Sequence, residues 1–347
     1  MKLKLTRRRL LQAGLAAGIG AELWYFRGWF GPYSPVQLAQ WRLRSLGLYL
    51  SGARPVVAVS RCPSYDSDVL GSLRQAWRDA GRSQSEVRGK RVVLKPNLAG
   101  FNPGHPVTTA PEVVEAAIRL FAELGARDVV VADGPTFTTD IDGTLARTGL
   151  DRVLARQQVR FVDLDHDDLV EVPLKGGYTL MRTLFAPRTI AEAEYLVSMP
   201  KLKTHHWTTV SLSLKNLFGT VPGSRYGWPK NILHWAGIPF SILALYDTFR
   251  PRLAIVDAVV GMEADGPLVG TPRQTGVLLM GEDGVAVDAT AARLMGFDPD
   301  EVLHLRFAGL WGLGVTDGGR IDVRGVPLAD VRQKFTPPPT SGEDRLS

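Results

Sequence analysis

Cysteine is nearly absent from this sequence, which has a single thiol, Cys62, among 347 residues. One thiol excludes an internal disulfide, an iron–sulfur cluster ligated by cysteines of this chain and a thiolate zinc site. A metal would need nitrogen and oxygen ligands, and a divalent metal is one option. Spacings such as His-Glu-x-x-His are absent too. The sequence therefore identifies no particular cofactor.

The chain has no excess of positive charge outside the N-terminus, although its net charge is +6. Residues 1–54 contain nine Lys and Arg residues and one acidic residue, which leaves 32 basic against 34 acidic residues in the remainder. A body with a net charge of −2 lacks the basic surface that binds nucleic acid. Because 45% of the residues are hydrophobic and 22% are charged, we predict a globular body without a nucleic-acid partner.

The first thirty residues resemble an export signal. Basic residues precede an apolar run at residues 10–21, and residues 6–12 are similar to a twin-arginine signal, with Leu10 where Phe is commoner and Gln12 where Lys is commoner. The resemblance implies a folded protein exported by the twin-arginine translocation machinery to a periplasmic or extracytoplasmic site. No clear small-x-small cleavage site follows, so an uncleaved membrane anchor is one alternative. A basic amphipathic helix on a cytoplasmic protein is another.

Two segments flank the predicted body. Residues 31–54 form an amphipathic linker, in which apolar residues alternate with Arg42 and Arg44. This pattern is typical of a helix at a membrane interface and equally of a helix packed on the protein's own body. Residues 336–347 begin with three prolines after Thr336 and continue with small and charged residues. This composition predicts a disordered tail.

From residue 55 onward, short β-branched runs alternate with amphipathic stretches. The runs at residues 56–60, 91–94, 129–132, 159–162, 195–198 and 253–256 predict strands, and residues 68–80, 111–124 and 144–156 predict helices. Strands alternating with helices predict one α/β domain over residues 55–335, a mostly parallel sheet with helices on both faces. Residues 207–250 are rich in Trp, Gly and Pro and predict an insertion or lid, although a plain buried helix at 238–249 explains the second half equally well.

Polar residues follow four of the predicted strands. Parallel sheets bind ligands at the carboxyl ends of their strands, so these residues are expected to share one rim. They are Lys95, Asn97, Asp133, Lys201, Lys203, His205 and Asp257.

Several of these motifs resemble the family of the domain of unknown function 362. The resemblance is carried by Lys95-Pro96-Asn97 and by residues 199–205, 213–219, 255–267 and 287–296, and it extends over about residues 55–314. Some members of that family join this domain to a cysteine-rich ferredoxin module, which implies a redox partnership. This sequence has no such cysteines, so the resemblance implies no reaction for it.

The lysine cluster points to an anion. Ammonium groups crowded at one rim repel one another unless a carboxylate or phosphate neutralises them. A crowded lysine also has a lowered pKa, which would let Lys203 or Lys215 act as a base or a Schiff-base nucleophile. The predicted substrate-binding residues are Lys95, Asn97, Lys201, Lys215 and Asn216.

We therefore predict an exported enzyme, an isomerase, lyase or hydrolase, that acts on a small anionic substrate. Its predicted catalytic residues are His205, Lys203, Asp257 and Asp288, with His205 and one of the carboxylates moving protons. The acidic residues with His205 and His234 could instead hold a divalent metal, or could pair with the lysines. A non-catalytic protein that binds an anion or a metal, and an electron-transfer accessory of a separate iron–sulfur partner, are the alternative functions.

Overall fold

A computed structural model of the protein describes residues 33–135 and 140–339. The predicted export signal at residues 1–30 and the end of the predicted tail at residues 340–347 lie outside the described residues. Within the described ranges, no helix combines the length and the apolar composition needed to cross a bilayer.

The strands and helices alternate along most of the chain. The strands are β1 (Val56–Arg61), β2 (Arg91–Pro96), β3 (Asp128–Asp133), β4 (Phe161–Asp163), β5 (Leu169–Pro173), β6 (Thr183–Pro187), β7 (Tyr195–Met199), β8 (Lys201–His205), β9 (Thr209–Ser211), β10 (Leu253–Glu263), β11 (Thr271–Gly281) and β12 (Asp322–Gly325). The helices are α1 (Pro35–Leu50), α2 (Val69–Asp79), α3 (Pro111–Glu123), α4 (Ile141–Thr148), α5 (Leu150–Gln157), α6 (Arg188–Ala191), α7 (Ser213–Asn216), α8 (Gly223–Tyr226), α9 (Asn231–Trp235), α10 (Ile238–Phe249), α11 (Gly284–Leu294), α12 (Leu303–Leu310) and α13 (Leu328–Val331). Short 3-10 helices span Gln84–Glu86, Leu217–Thr220 and Gly318–Arg320.

One large, mostly parallel sheet organises the fold. Its main order is β12-β1-β11-β10-β7-β2-β3-β4, and β8 extends it by pairing with both β10 and β9. Strands β7, β2, β3 and β4 pair in parallel, as do β10 and β7. Strand β11 runs antiparallel to both of its neighbours, β1 and β10. Strands β5 and β6 form a separate antiparallel pair.

Both faces of the sheet are covered. Along β1, Val57 and Val59 pack into the cluster that includes α10, α11 and α12, whereas Ala58 packs into the cluster that includes α2, α3 and α5. Strand β11 repeats this alternation with Leu279 on the first side and Leu278 on the second. Successive side chains of a strand point to opposite faces, so an unbroken apolar run fills two cores at once. The predicted fold class, a mostly parallel sheet with helices on both faces, is confirmed.

Helix α1 packs on the body of the protein, which is one of the two alternatives for residues 31–54. The Trp41 ring is 3% exposed and stacks on Tyr178 and Trp311, with ring centroids 5.3 and 4.2 Å apart. Arg44 donates two hydrogen bonds of 2.8 Å to the carboxylate of Asp247. Aromatic stacking and a bidentate ion pair thus hold the inner face of this helix.

Several predicted boundaries differ from the structure. Residues 144–156 do not form one helix, because Gly149 adopts a left-handed conformation with a φ of +81° that ends α4 before α5 begins. The polar residues after β7 form a strand of their own, β8, and Pro200 lies between the two strands. Strands β9, β11 and β12 and the β5–β6 pair were not predicted at all.

The two uncertain segments of the sequence are both packed. In residues 207–250 the second half is the buried helix α10, and the first half buries Leu214, Leu217 and Phe218 in the core beside the sheet. The chain remains ordered beyond Phe335, because the Thr336 carbonyl accepts a hydrogen bond from the Ala264 N–H. The segment predicted to be a disordered tail therefore starts at a residue, Thr336, that is hydrogen-bonded to the body of the protein.

Candidate functional site

A small polar cavity lies at the carboxyl ends of β2 and β3. Its volume of about 30 Å³ has room for roughly two water molecules or one small anionic group. The wall comes from β2, β3, β8, β9, α7 and the turn between β10 and β11, and it is formed by Lys95, Asn97, Leu98, Ala99, Asp133, Gly134, Pro135, Lys203, His205, Ser211, Lys215, Asn216, Phe218, Gly219 and Pro267.

Lys95 and Asp133 form a buried ion pair in this wall. The Lys95 Nζ lies 2.5 Å from Asp133 Oδ1 and also donates to Asn216 Oδ1 and to the Pro96 carbonyl. An ammonium group has three N–H donors, so the protein itself uses all three. Asn216 is equally committed, since its Nδ2 donates to the Lys95 carbonyl and to Ser198 Oγ. Lys95 and Asn216 therefore hold the wall in place.

Glycine is required where the loops meet this ion pair. A Cβ at Gly219 would lie 2.2 Å from Asp133 Oδ1 and 2.6 Å from Lys95 Nζ. A Cβ at Gly134 would lie 2.8 Å from the Gly219 carbonyl oxygen. All three distances are shorter than a normal contact of a Cβ atom, so the two glycines let the backbone close over the pair.

A second buried ion pair, between Lys201 and Asp257, lies beside the cavity and does not line it. The Lys201 Nζ is 2.9 Å from Asp257 Oδ2 and also donates to the Tyr65 hydroxyl. Asp257 in turn accepts hydrogen bonds from the Ala110 N–H and the Tyr65 hydroxyl. These bonds join β8 to β10, so the structure gives both residues a bracing position away from the candidate ligand.

A third pair, which the sequence did not reveal, lies behind Gly134. The Lys230 Nζ donates to the Gly134 carbonyl at 2.7 Å and lies 3.3 Å from Asp165 Oδ1. Asp165 also accepts hydrogen bonds from the Gly223 N–H and the Trp228 indole N–H. Lys230 and Asp165 are 65 residues apart and belong to no motif, so no local pattern could have paired them.

Lys203 and Lys215 differ from these three lysines. Both line the cavity, and among the described residues neither has a carboxylate within ion-pair distance. Lys203 Nζ makes one hydrogen bond, to the Val107 carbonyl at 2.9 Å. Lys215 Nζ lies 3.6 Å from the centroid of the Phe218 ring. Several N–H donors of these two groups are therefore available to a guest in the cavity.

The surroundings of these two lysines disfavour their charged forms. Burial and the neighbouring ammonium of Lys201 lower the pKa of Lys203 to about 7. Burial and the ammonium of Lys203 lower the pKa of Lys215 to about 7. Loss of water and like charge both act in this direction. Each amine therefore exchanges its proton near neutral pH, and an anion between them would stabilise the charged forms.

His205 presents a hydrogen-bond donor to the cavity. Its Nδ1 accepts a hydrogen bond of 3.1 Å from the Trp207 backbone N–H. Because a backbone N–H can only donate, Nδ1 carries no proton and the neutral ring holds its proton on Nε2. Burial and the charge of Lys215 lower the pKa of His205 well below its usual value. The imidazole is therefore a neutral donor, and the lone pair of Nδ1 is already occupied.

Asp288, on α11, does not line the cavity, in contrast to Lys203 and His205 on β8. Its two carboxylate oxygens accept hydrogen bonds from the Ser213 and Leu214 N–H groups, at 2.8 and 2.9 Å. Burial raises the pKa of Asp288 to about 8. These bonds fix the start of α7, which carries Lys215 and Asn216. The structure thus places Asp288 where it positions the wall.

Of the predicted site residues, the structure brings six together in one cavity and leaves three outside it. The six are Lys95, Asn97, Lys203, His205, Lys215 and Asn216, and the three are Lys201, Asp257 and Asp288. Lys201, Lys203 and His205 occupy every second position of β8. This spacing in the sequence indicates that their side chains lie on the same face of the strand. No comparable sequence pattern indicates Tyr65, Asp165 or Lys230.

The structure provides no evident set of metal ligands. Within residues 33–135 and 140–339, no three His, Cys, Asp or Glu side chains are grouped as a metal site would require. His234 faces Trp207 and Phe218 through ring contacts.

The chain is similar to known proteins in sequence and in structure. A thylakoid-associated protein of Synechocystis sp. is 30% identical over 256 residues, which cover 70% of this chain and 75% of that protein. Among solved structures, the lactate racemase apoprotein of Thermoanaerobacterium thermosaccharolyticum is 14% identical, with a TM-score of 0.42 over 70% of this chain. A protein from Thermotoga maritima is also 14% identical, with a TM-score of 0.35 over 68%. The chain spans 57% and 60% of the lengths of these two proteins.

The family itself is established by the sequence. The profile of the domain of unknown function DUF362 matches residues 92–293, a span that contains the ends of β2 and β3, all of β8 and α7, and every residue of the cavity wall. More than half of the 347 residues fall within it, and the chain therefore belongs to the DUF362 family.

Proposed function

We propose that this protein is an enzyme that binds a small carboxylate or phosphate in the cavity and moves a proton on it. One observation carries the proposal: Lys203 and Lys215 face the same small cavity without a carboxylate partner among the described residues, beside the donor Nε2–H of His205. Buried cations without a partner are costly. A bound anion offsets that cost.

The two lysines have different surroundings, which suggests different roles. Lys215 lies over the face of Phe218, and an aromatic face favours the charged ammonium. We assign Lys215 as the anchor of the anionic group. Both lysines have a pKa of about 7, and Lys203, which has no aromatic ring beneath its ammonium among the described residues, is assigned as the base.

The proposed step is proton abstraction next to a carboxylate, as in an isomerase or lyase. The step occurs in the fraction of complexes in which Lys215 alone carries the positive charge beside the anion and Lys203 is neutral. The amine of Lys203 then takes the proton from the carbon, and the electron pair moves onto the carboxylate oxygens. The Nε2–H of His205 donates a hydrogen bond to the developing negative charge. In an isomerase reaction the carbon then takes a proton from water on its opposite face, and Lys203 releases its proton to water. In a lyase reaction the bond to the leaving group on the adjacent carbon breaks, and that group departs with the electron pair as a double bond forms between the two carbons. Asp257 and Asp288 take no part, because their oxygens are occupied by structural hydrogen bonds.

Binding is tested by titrating phosphate and acetate calorimetrically. We expect Lys203→Met and Lys215→Met each to weaken binding by about tenfold or more, since a charged hydrogen bond is lost. Lys175→Met removes an exposed lysine and serves as the matched control. Unchanged affinity in both cavity variants would contradict the proposal.

Catalysis is tested by incubating small carboxylates with the protein in heavy water and measuring deuterium at the carbon next to the carboxylate. Lys203→Arg keeps the charge but cannot release its proton near neutral pH, so it should retain anion binding and lose exchange. Tight binding without exchange in the wild-type protein would favour the alternative, a non-catalytic anion-binding protein.

We further propose that the protein works outside the cytoplasm or at the membrane. The twin-arginine-like segment and the +8 charge of residues 1–54 support this location. The relative in Synechocystis is named as thylakoid-associated. Cell fractionation of the full chain and of an Arg7→Lys, Arg8→Lys variant tests it, and an unaltered cytoplasmic distribution of both would argue against export.

A further inference from the structure

A row of aromatic rings leads from the cavity to the surface. Phe218 lines the cavity, and the His234 ring stands nearly perpendicular to it at a centroid distance of 6.1 Å. Trp207 contacts His234 edge to face at 5.0 Å and contacts His206 at 4.5 Å. These rings come from three separate segments of the chain. Phe218, at the inner end of the row, contacts the Lys215 ammonium at 3.6 Å from its ring centroid.

The outer end of this row is open to water. The Trp207 side chain is 54% exposed and Trp235, the residue after His234, is 83% exposed. Trp41, Trp77 and Trp311 are all at most 5% exposed. A single exposed apolar side chain is ordinary, but Trp207 adjoins His205 of the cavity wall. An exposed aromatic side chain beside a polar cavity is typical of a ligand-binding surface.

Trp207 is held close to the cavity by its backbone. Its N–H donates to His205 Nδ1 at 3.1 Å, and the two rings have their centroids 6.1 Å apart. The cavity volume of about 30 Å³ accommodates only a small group. The remainder of any larger ligand would therefore extend outward past His205, over the indole of Trp207.

We infer that the natural ligand is an anion carried on a planar ring, with its charged group between Lys203 and Lys215 and its ring against Trp207. This inference rests on the proposed anion-binding function and specifies its substrate class. A planar ring is favoured over an alkyl chain because indole gains from stacked and edge-to-face ring contacts in addition to apolar burial.

The experiment compares ligands with and without a ring. Dissociation constants are measured for inorganic phosphate, butyl phosphate and phenyl phosphate, and for acetate and benzoate, so that phosphate and carboxylate sources are separated. We expect phenyl phosphate or benzoate to bind roughly three- to tenfold more tightly than its ring-free counterpart. Trp207→Ala should bring this ratio toward one. Tyr49→Ala, which removes an aromatic side chain 66% exposed on α1, should leave the ratio as in the wild type.

The outcomes separate the inference from the function beneath it. Equal affinity with and without a ring, or a ratio that Trp207→Ala leaves intact, overturns the inference while anion binding stands. A gain from butyl phosphate as large as that from phenyl phosphate overturns the assignment of a planar ring. Absence of binding by every anion overturns both the inference and the proposed function.

Discussion

The lysines around the cavity fall into two groups with the same side-chain chemistry and opposite surroundings. Lys95, Lys201 and Lys230 each lie beside an aspartate. Lys203 and Lys215 lie within the same region and have no carboxylate partner among the described residues. A paired buried charge holds neighbouring strands together, whereas an unpaired one is a cost to folding. The contrast indicates which lysines serve the structure and which are available to a ligand.

Pairing with an aspartate also determines which of these lysines can bind a ligand. The three donors of Lys95 are all used within the protein, so a ligand would have to displace a native bond to reach it. Lys203 uses one donor and keeps a pKa of about 7. Lys203 can therefore bind an anion, or exchange its proton, without breaking an ion pair that joins strands of the sheet.

The largest expected effect comes from breaking a pair. Asp257→Ala leaves the Lys201 ammonium buried without its partner and removes an acceptor of the Ala110 N–H. We expect the free energy of unfolding to fall by about 3–5 kcal/mol, measured by urea denaturation. The double variant Lys201→Met, Asp257→Leu should regain part of that loss, because no isolated charge remains. Near wild-type stability of Asp257→Ala would show that the pair does not brace the sheet.

A smaller loss of stability is expected from a substitution that crowds the Lys95–Asp133 ion pair and leaves both residues in place. Gly219→Ala places a methyl group 2.2 Å from Asp133 Oδ1, so the ion pair with Lys95 must shift. We expect a loss of about 1–3 kcal/mol of stability, as is typical of overpacked cores, seen as a lower melting temperature. Gly227→Ala is a glycine control with no heavy atom near its Cβ, although its φ of +72° adds backbone strain. Equal losses in both variants would remove the argument for close packing at Gly219.

A third effect concerns the two lysines without a carboxylate partner in the described part of the chain, and the pH dependence of stability. Lys203 and Lys215 have pKa values of about 7 in the folded chain, against 10.5 for an ordinary lysine. Between these values the unfolded chain binds more protons, so stability should rise with pH from neutrality toward about pH 10. Saturating phosphate should flatten this rise by holding the protons on both lysines.

The double variant Lys203→Met, Lys215→Met isolates this contribution from other titrating groups, among them Lys230. Its urea midpoint should rise less steeply with pH than that of the wild type. A slope identical in both proteins would mean that the two lysines titrate normally, and the contrast between the lysine groups would then lose its electrostatic basis.

Much of the fold was predictable because its signals are local. The apolar runs at β1, β2, β3 and β7 and the amphipathic pattern of α2 and α3 were identified within a few residues of their bounds. The strand-end rule also gathered Lys95, Asn97, Lys203 and His205 at one rim. Strand β11 was missed because it is antiparallel and its first half is exposed, so it follows neither the buried nor the alternating pattern.

The sequence by itself determined that buried strands would form a two-sided sheet and that basic residues would meet at its rim. Both predictions follow from the residue pattern of each strand and of the few residues after it, so they do not depend on which strands become neighbours in the sheet. Only the tertiary structure decided which lysines are neutralised. Lys95 and Asp133 are 38 residues apart, and Lys201 and Asp257 are 56 apart. Such pairs depend on the order and register of strands across the sheet, and that arrangement left Lys203 and Lys215 for a guest.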